Sequence, residues 1–449
     1  MNEHDSERLA GALIADGLTA TTDLESADVV VFNTCCIREN ADNKFYGHLG
    51  NLKTLRESRP EMLIAVGGCL AQMDKDHIRE RAPHVDVVFG THNLTRAPAL
   101  LRQAASSGPV VEILDEPSPV GDTQQVAALA AVRDLPHAAW VTIQIGCDNS
   151  CAFCIVPQVR GGEVSRRPDD LVSEVEALAR RGVSEVTLLG QNVNSYGRDL
   201  TRRRPLFAEL LRAVGRVEGI RRVRFTSPHP KDLRPETIAA MAETDEVCNH
   251  LHLPLQSGSD AVLATMRRGY TAARYLSRLA AARAAVPDLA VTTDLIVGFP
   301  GETEEHFERT LEVVAEAHYD SAYTFIFSPR PGTRAASMQE HYVPAEVTAE
   351  RFERLRTVVE RSALARHRDR IGRVEEVVVE GPSKRDASLT TGRTSQNKLI
   401  HFHPGEGALP CGTFAEVTVT GAARHHLSGD LVAVTARPSH RTRIPVSAG

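Results

Sequence analysis

Apolar, β-branched runs alternate with amphipathic segments along the middle of the chain, and this alternation restricts the possible folds more than any other feature. Strands separated by helical segments form parallel sheets, because each crossover lays its helix on a face of the sheet. The six predicted strands are WVTIQI from Trp140, EVTLLG from Glu185, RVRFTSP from Arg222, HLHLPLQ from His250, AVTTDLIVGF from Ala290 and SAYTFIFSP from Ser321. Six strand-helix units predict a partial (β/α)6 barrel, whose reactive groups lie at the C-terminal ends of its strands.

The segments on either side of this barrel have different patterns of predicted strands and helices. The predicted fold class of the chain is α/β. The N-terminal part begins with a helical stretch at 5–16 and continues with buried strands at 28–33, 63–67 and 85–90, which predicts another parallel sheet. After residue 370, short alternating strands separated by Gly, Pro, Ser and Asp predict a small β-barrel. The predicted divisions are an N-terminal α/β domain at 1–103, a linker at 104–132, the central barrel at 133–370, the C-terminal barrel at 371–437 and a tail at 438–449.

Length and composition limit the classes of protein to which the chain can belong. At 449 residues it exceeds what one hydrophobic core usually supports, and 42% hydrophobic with 24% charged residues is typical of soluble globular proteins. No apolar run approaches the roughly 18 residues of a spanning helix, and the N-terminus lacks the order of a signal peptide. We therefore expect a cytoplasmic monomer without a membrane partner, whose eight cysteines are metal ligands or reactive groups instead of disulfides.

The net charge of −6 argues against a protein that coats nucleic acid without specificity, but one segment departs from this average. Residues 351–370 contain seven arginines against three acidic residues, which gives the segment a net charge of +4. Such a run is either a solvated helix face or a surface that contacts phosphates, and the sequence leaves both interpretations open.

The stretch GCDNSCAFCIVPQVRGG, which begins at Gly146, places Cys147, Cys151 and Cys154 within eight residues. Each iron of a cubic 4Fe-4S cluster takes one outside ligand, usually a thiolate, so three cysteines hold three irons and leave the fourth open. Gly146 permits a sharp turn as the loop leaves the preceding strand. The open alternatives are a zinc site completed by a distant His or Cys, and a structural cluster with a fourth ligand elsewhere.

A second group of cysteines, Cys35 and Cys69, follows two predicted strands of the first domain. Because the ends of neighbouring parallel strands meet at one edge of a sheet, these side chains are expected to lie close together. They are either two buried thiols, since free cysteine is among the most buried residue types, or half of a second cluster site. His250 and His252 share one strand face by their period of two, and packing is favoured there over a zinc site.

The cysteine spacing C-x3-C-x2-C after a first barrel strand resembles the radical S-adenosylmethionine (SAM) superfamily. This resemblance implies a 4Fe-4S cluster whose open iron binds the amino and carboxylate groups of SAM, and cleavage of SAM to a 5′-deoxyadenosyl radical. The residues expected to line the SAM pocket, all after later strands, are Gln191, Asn192, Ser227, Gln256 and Gly298. Each of these signals is weak alone, because Gln256 or Ser227 also suits a helix cap and Pro300-Gly301 also suits a turn.

Over essentially its whole length the chain resembles the methylthiotransferase family of radical SAM enzymes. The stretches that carry this resemblance are NTCCIRENADNKFYGHLG, VGGCLAQ, GCDNSCAFCIVPQVRGGEVSRRP, LLGQNVNSYG, SPHPKDL, LPLQSGSD, TDLIVGFPGET and SPRPGTRAA, with VEGPSKRD and TGRTSQNKLIHF resembling an RNA-binding TRAM domain. In this family the first domain holds an auxiliary 4Fe-4S cluster on three cysteines, and Cys35 and Cys69 fall on two of them. The third is expected upstream of Met1, within a family motif Gly-Cys-Gln-Met-Asn, so we expect the natural start to lie upstream. Cys36 is a less favoured substitute, because its side chain leaves the backbone in a different direction from that of Cys35.

The resemblance implies that the chain methylthiolates C2 of N6-dimethylallyladenosine next to the anticodon of tRNA. General acid-base catalysis does not open this position, because the C–H bond is too weakly acidic, whereas a cofactor-derived radical abstracts the hydrogen. The implied partners are the tRNA anticodon stem-loop, which presents an unpaired base, and a reducing protein such as flavodoxin or ferredoxin. The residues expected to contact RNA are Arg160, Arg166, Arg167, Lys384, Arg385, Arg393 and Lys398.

Two other functions remain open at this point. The related enzyme that methylthiolates an aspartate of a small-subunit ribosomal protein shares the three-domain plan, although basic residues of the final barrel and the stretch RENADNKFYGHLG favour tRNA. A non-catalytic RNA-binding iron-sulfur protein is the third interpretation, since one auxiliary cysteine is missing. The intact loop of Cys147, Cys151 and Cys154 argues against it.

Overall fold

The N-terminal unit is a four-stranded parallel sheet with helices on both faces. A computed structural model of the chain describes residues 1–35, 39–114, 131–202, 204–405 and 407–438. The strands of this sheet, in spatial order, are β1 (Val29–Thr34), β2 (Leu63–Gly68), β3 (Val87–Phe89) and β4 (Val110–Glu112). The helices are α1 (Asn2–Ala15), α2 (Glu39–Ser58), α3 (Cys69–Asp74), α4 (His77–Arg81) and α5 (Ala97–Ser107). The predicted order, a helix followed by strands, is confirmed, although β1 is half-buried except at Thr34, whereas β2 and β3 are buried as predicted.

The fourth strand lies inside the segment predicted as a linker. β4 pairs in parallel with β3, with Val110 opposite Val87, and α5 continues to Ser107 before the chain turns at Gly108. The run PVVEI is β-branched enough to add an edge strand, although the neighbouring Ser and Gly residues are typical of a linker. The first domain therefore extends beyond residue 103. The rest of the predicted linker, residues 115–130, and most of the predicted tail lie outside the described residues.

Six parallel strands form the central barrel, as the alternation predicts. The strands of this unit are β5 (Ala138–Thr142), β6 (Gln144–Ile145), β7 (Val164–Ser165), β8 (Glu185–Leu189), β9 (Arg222–Phe225), β10 (His250–His252), β11 (Ala290–Val297) and β12 (Ser321–Ile326). β5, β8 and β9 form one parallel half, β10, β11 and β12 form the other, and a parallel bridge from Val223 to Val247 joins them. β6 and β7 form a separate antiparallel ladder.

Helices cover the outer face of this barrel and bury its apolar side chains. The helices of this unit are α6 (Val156–Arg160), α7 (Pro168–Arg180), α8 (Arg198–Thr201), α9 (Phe207–Gly215), α10 (Pro235–Glu243), α11 (Asp260–Thr265), α12 (Ala272–Ala285) and α13 (Glu304–Ala317). Of these, α6 packs instead against the first domain, through Val159. In β8, Val186 and Leu188 belong to the outer core that packs against these helices. Glu185 and Thr187 alternate with them and therefore face the lumen of the barrel.

Helix α14 (Ala345–Arg368) carries most of the arginine-rich segment, and key charges of the segment are paired within the protein. Arg351 is 4% exposed and contacts Glu302 at 3.0 Å. Arg370, just beyond the helix, contacts Asp288 and Glu375 at 2.7 Å each. The first pair holds α14 against the central barrel, and Arg370 also ties that barrel to the next unit through Glu375, so the positions favour a structural role over phosphate contact. None of the helices described, α14 included, is long and apolar enough to cross a membrane.

The C-terminal unit is a closed five-stranded barrel, which confirms the predicted small all-β unit. Its strands are β13 (Val374–Pro382), β14 (Thr390–Thr394), β15 (Leu399–His403), β16 (Phe414–Ala422) and β17 (Leu427–Ala436). Two arginines from the lumen face of β9 hold it in place: Arg222 donates to the Glu376 carbonyl and Arg224 to the Thr394 carbonyl, each at 2.9 Å. The third unit therefore packs beneath the central barrel, at the end opposite the expected site.

Candidate functional site

The three cysteines of the barrel lie on one loop that a short ladder closes at its base. β6 leads into the loop and β7 follows it, and inside this ladder the Cys147 N–H donates to the Gly161 carbonyl at 3.1 Å. Gly146 has a φ of +80°, and a Cβ at this position would overlap the Gly162 carbonyl oxygen. The turn predicted at Gly146 therefore requires glycine for both its conformation and its lack of a side chain.

The three thiols of this loop interact with one another, and Cys147 is buried while Cys151 and Cys154 are half-buried. Burial raises the pKa of the Cys147 thiol to about 12, and burial also raises the pKa of Cys154 to about 11. The neighbouring thiols contribute to both increases, so a positive charge is needed to hold the cysteines as thiolates. Arg268, which is 6% exposed, donates to Cys151 Sγ at 3.3 Å and supplies part of that charge.

Buried polar atoms at the same end of the barrel have no hydrogen-bond partner among the described residues. They are Gln144 Oε1, Asn149 Nδ2, Gln191 Oε1, Asn192 Oδ1, His229 Nε2 and Gln256 Oε1. An unpaired buried polar atom costs about 1–3 kcal/mol, so native proteins keep few of them. Their concentration beside the cysteine loop indicates that this end of the barrel is built to receive a polar ligand.

The residues predicted to bind SAM all follow parallel strands: Gln191 and Asn192 after β8, Ser227 after β9, Gln256 after β10 and Gly298 after β11. Ser227 and Gln256 have φ values of +60° and +72°. This left-handed backbone costs about 1 kcal/mol or more for residues with a Cβ and is typical of functional sites. Gly298 has another reason for its φ of +74°, because a Cβ there would overlap Thr348 of α14, and its N–H donates to Glu302 at 3.0 Å.

The donor set at this end of the barrel fits a 4Fe-4S cluster together with SAM. Three thiolates are the ligands that iron-sulfur clusters prefer, and a positively charged iron core offsets the cost of holding them together. The unpartnered amide groups supply both donors and acceptors for a polar zwitterion.

Cys35 and Cys69 lie at the ends of neighbouring strands. The register of β1 with β2 pairs Thr34 with Gly68, so each cysteine is the first residue beyond a pair. Cys69 is 7% exposed and Cys35 is half-buried. The register thus brings the two cysteines to one edge of the sheet, as strand order predicts, whereas Cys36 lies outside the described residues.

Arg160 connects the two cysteine groups. It ends α6, the helix that follows Cys154, and donates to Asp5 Oδ2 of α1 at 2.6 Å and also to Cys69. The side chains of this ion pair are only 5% and 8% exposed. Burial alone would lower the pKa of Arg160, but Asp5 and Cys69 raise it above its ordinary value. The guanidinium therefore stays charged at the boundary between the first domain and the barrel.

Three of the cations predicted to contact RNA are used inside the protein. Arg166 is 7% exposed and contacts Glu174 at 2.6 Å, and Lys398 is 5% exposed and contacts Asp320 at 2.7 Å. Arg160 is paired as described above. The expectation that these three side chains contact RNA is therefore replaced by a structural role, because their charges are buried against carboxylates.

The other predicted RNA contacts remain accessible. Lys384, Arg385 and Arg393 line a cleft of about 1710 Å³ between α1, the first barrel strands and the C-terminal barrel, with Trp140 on another wall. Lys384 and Arg385 are exposed in the turn between β13 and β14, whereas Arg393 is half-buried and paired with Glu380. Arg167 is exposed at the start of α7. The cleft as a whole is not basic, because its lining also includes Glu3, Glu7, Asp134, Glu185, Glu380 and Asp386. The turn with Lys384 and Arg385, together with Trp140, offers the basic and aromatic groups that bind single-stranded nucleic acid.

Some side chains of the site lie in stretches that suggest no function by themselves. Arg268 lies in MRRGYT and reaches the cysteine loop only through the fold. Burial and the charge of Arg268 lower the pKa of His229 to about 2, so its ring is neutral, and its Nδ1 accepts the Lys231 N–H at 3.1 Å. The position of His229 in SPHPKDL, beside Ser227, is the one sequence signal that could have identified it.

Two family models match the chain, and each match contains one of the two cysteine groups. Residues 141–314 match the model described as the radical SAM superfamily. Residues 1–90 match the model described as uncharacterized protein family UPF0004. The first match contains the cysteine loop of the barrel, and the second contains Cys35 and Cys69.

Solved structures support the same architecture. The chain is similar to the radical SAM methyltransferase TsrM from Kitasatospora setae, at TM-scores of 0.52 and 0.53 for two structures with 13% and 14% identity. The likeness covers 74% of this chain and 73% and 72% of those chains. At such low identity the comparison shows the fold alone.

Curated relatives are similar over nearly the whole chain. Proteins from Mycolicibacterium smegmatis, Nocardia farcinica and Parafrankia sp. are 50%, 51% and 52% identical, across 99% of this chain and 86%, 88% and 90% of their own lengths. All three bear the name tRNA-2-methylthio-N(6)-dimethylallyladenosine synthase. The chain therefore belongs to the tRNA-2-methylthio-N(6)-dimethylallyladenosine synthase family, within the radical SAM superfamily.

Proposed function

We propose that the chain is a radical SAM enzyme that methylthiolates C2 of N6-dimethylallyladenosine next to the anticodon of tRNA. The observation that carries this proposal is the loop of three cysteines beside unpartnered polar atoms at one end of a parallel barrel. Relatives at 50–52% identity, named for this activity, add support.

The barrel residues hold and orient the reacting groups. Cys147, Cys151 and Cys154 hold three irons of a 4Fe-4S cluster, and the polar ends of β8, β9 and β10 bind SAM. When bound, the cluster and SAM supply the radical chemistry that removes hydrogen from an aromatic carbon. The chain itself contributes a loop tied at its base, with one buried and two half-buried thiols, which keeps the reacting groups in one arrangement.

Cys35 and Cys69 supply two ligands of an auxiliary 4Fe-4S cluster in the first domain. Their positions directly beyond the pair Thr34 and Gly68 support this role, since both thiols leave the same edge of the sheet. The buried guanidinium of Arg160 beside Cys69 also supports it, because a hydrogen-bonding cation stabilises thiolate ligands of a cluster.

The substrate is the anticodon stem-loop of tRNA, in which an unpaired base is within reach of an active site. The cleft lined by Lys384, Arg385 and Arg393 supports this choice, and the C-terminal barrel, a TRAM domain, supplies these cations. A flavodoxin or ferredoxin provides the electrons. The enzyme works as a monomer in the cytoplasm, where its substrate is found.

Mass analysis of tRNA nucleosides tests this function. We compare a strain lacking the gene with the same strain carrying either the wild-type gene or Cys151→Ser. The deletion should leave N6-dimethylallyladenosine without its methylthio group, and only the wild-type gene should restore it. Unchanged methylthiolated nucleoside in the deletion strain, together with loss of a methylthio group from a ribosomal protein, would move the assignment to that alternative.

A further inference from the structure

The second half of the central barrel presents ring and carboxylate side chains on its lumen face. In β11, Val291 and Leu295 pack into the outer core, so Asp294 faces the lumen. The parallel register pairs Asp294 with Tyr323 of β12, and register partners in neighbouring strands point to the same face. His252 of β10 lies on this side too, with Nε2 3.4 Å from Asp294 Oδ2 and its ring centroid 6.1 Å from that of Tyr323.

Tyr323 is very exposed for an aromatic side chain on a barrel strand. It retains 60% of its accessible surface, whereas Ala322, on the opposite face of β12, packs against the outer core. α14 also packs against this strand, and its Leu355 and Val359 belong to the same core. The exposed ring of Tyr323 therefore adds little hydrophobic stabilisation, because most of its area stays in water. A rigid strand that holds an open ring toward the lumen suits contact with a flat ligand.

The position of Tyr323 along its strand places it next to the reactive end of the barrel. Ile296, two residues after Asp294 and on the same face, belongs to an apolar cluster with Ala152 and Phe153 of the cysteine loop. Two residues of a strand span about 6.6 Å. Tyr323, the register partner of Asp294, thus lies one such step below the layer that touches the cysteine loop.

His252 is held in a fixed orientation beside Tyr323. Its Nδ1 lies 3.0 Å from Thr292 Oγ1, which is also 3.1 Å from His250 Nε2. Asp294 lies beside the other ring nitrogen of His252, as described above. The two rings meet edge to face, with an interplanar angle of 69°. This contact supports Tyr323 from one side and leaves the rest of its surface open to the lumen.

We propose that Tyr323 is the stacking platform for the unpaired purine base that enters the barrel. This inference rests on the proposed function and deepens it by naming a positioning residue. Stacking on an aromatic ring is a general way to hold a base that has left its own stack. A purine with an apolar substituent on N6 gains binding free energy from contact with such a surface. Its C2 edge stays free to face the cysteine loop. Tyr323 takes no part in bond breaking.

A binding cycle with two RNAs tests the platform. One RNA is an anticodon stem-loop with N6-dimethylallyladenosine beside the anticodon, and the other has an abasic site at that position. The reconstituted wild-type protein should bind the RNA with the base about 5-fold to 150-fold more tightly than the abasic RNA, which is the typical contribution of one base-aromatic stack to affinity. Tyr323→Ala should bind both RNAs equally, whereas Tyr323→Phe should keep the preference. A 2-aminopurine probe at the same position should be quenched by the wild type and by Tyr323→Phe, but not by Tyr323→Ala.

Ile326→Ala is the matched control, because Ile326 is 50% exposed on the same strand but alternates to the opposite face. It should keep the full preference for the base, which would show that a change in β12 alone does not remove it. Loss of the preference in Ile326→Ala, or an unchanged preference in Tyr323→Ala, would overturn the platform while leaving the proposed function in place. If the wild type itself showed no preference for the base, the protein would not bind that base. This outcome would contradict the proposed function as well as the platform.

Discussion

The two cysteine groups of this chain both follow parallel strands, yet they are assembled in different ways. Cys147, Cys151 and Cys154 lie on one loop that β6 and β7 close at its base. Cys35 and Cys69 belong to separate strands and meet only through the register of β1 with β2. The first group is therefore a property of a short sequence, whereas the second is a property of a folded sheet.

The buried cations beside these groups differ in origin as well. Arg268, which donates to Cys151, comes from a later part of the same barrel. Arg160, which donates to Cys69, comes from the helix that follows the cysteine loop of the other unit. The first-domain group thus depends on docking against the barrel, while the loop of the barrel takes its nearby cation from its own unit.

Cys147→Ser should have the largest effect on this comparison. Both reductive SAM cleavage and methylthiolation should fall by at least about 10⁴-fold, because serine is a poor substitute for a thiolate ligand and enzymes typically accelerate reactions by about 10⁶-fold or more. The measurement is 5′-deoxyadenosine formation by the anaerobically reconstituted protein with a chemical reductant, together with mass analysis of the methylthiolated nucleoside.

Cys248→Ser is the control for this variant, because Cys248 is also buried, at 3% exposure against 8% for Cys147, but lies beside β9. It should retain SAM cleavage. Cleavage at the wild-type rate by Cys147→Ser would show that the loop does not hold the reactive cluster.

Cys69→Ser should separate the two groups. Methylthiolation should be lost because the auxiliary cluster loses a ligand, whereas SAM cleavage should continue because the barrel loop is intact. Iron content per chain should fall but remain above that of a variant lacking both groups. The measurement combines iron analysis with the two product assays. Equal loss of both products, with the fold retained by circular dichroism, would mean that the two regions do not act separately.

Much of the fold could be predicted because the relevant residues are close together in sequence. EVTLLG carries its own evidence for a strand, since Val186 and Leu188 fill the outer core while the residues between them face the lumen. The cysteine loop could be predicted for the same reason, because its spacing and Gly146 are contained in one short stretch. Local patterns of this kind need no knowledge of distant contacts.

Other features depend on partners that the sequence places far away. Lys398 resembles an exposed basic residue until the fold brings it to Asp320, 78 positions earlier. Arg268 meets Cys151 across 117 positions, in a stretch with no recognisable motif. Strand β4 escaped prediction because two valines provide little signal beside the Ser and Gly residues that precede them. In each case, burial or pairing decides the role, and neither is visible locally.

Arg160→Met tests whether the first-domain group depends on the barrel. The variant removes the cation that contacts Asp5, whose side chain is 8% exposed, and breaking a buried ion pair by removing one partner costs about 3–5 kcal/mol. The free energy of unfolding from urea titration should fall by this amount. Adding Asp5→Asn should recover part of the loss, because it removes the buried charge. Unchanged stability in the single variant would show that the ion pair does not couple the two units.

The smallest predicted effect is a pH dependence at the contact between α1 and the barrel, where His4 Nδ1 lies 2.9 Å from Thr142 Oγ1. Burial and the charge of Arg8 lower the pKa of His4 to about 2, against about 6.5 in an unfolded chain. As the pH falls below about 6.5, only the unfolded chain takes up this proton, so the contact loses stability toward about 1.4 kcal/mol per pH unit. Urea titrations between pH 7.5 and pH 5 should therefore show that the free energy of unfolding falls less steeply with decreasing pH in His4→Gln than in the wild type. An equal slope in His4→Gln would mean that this histidine takes up its proton in the folded protein too, and that α1 does not exclude water from the barrel wall.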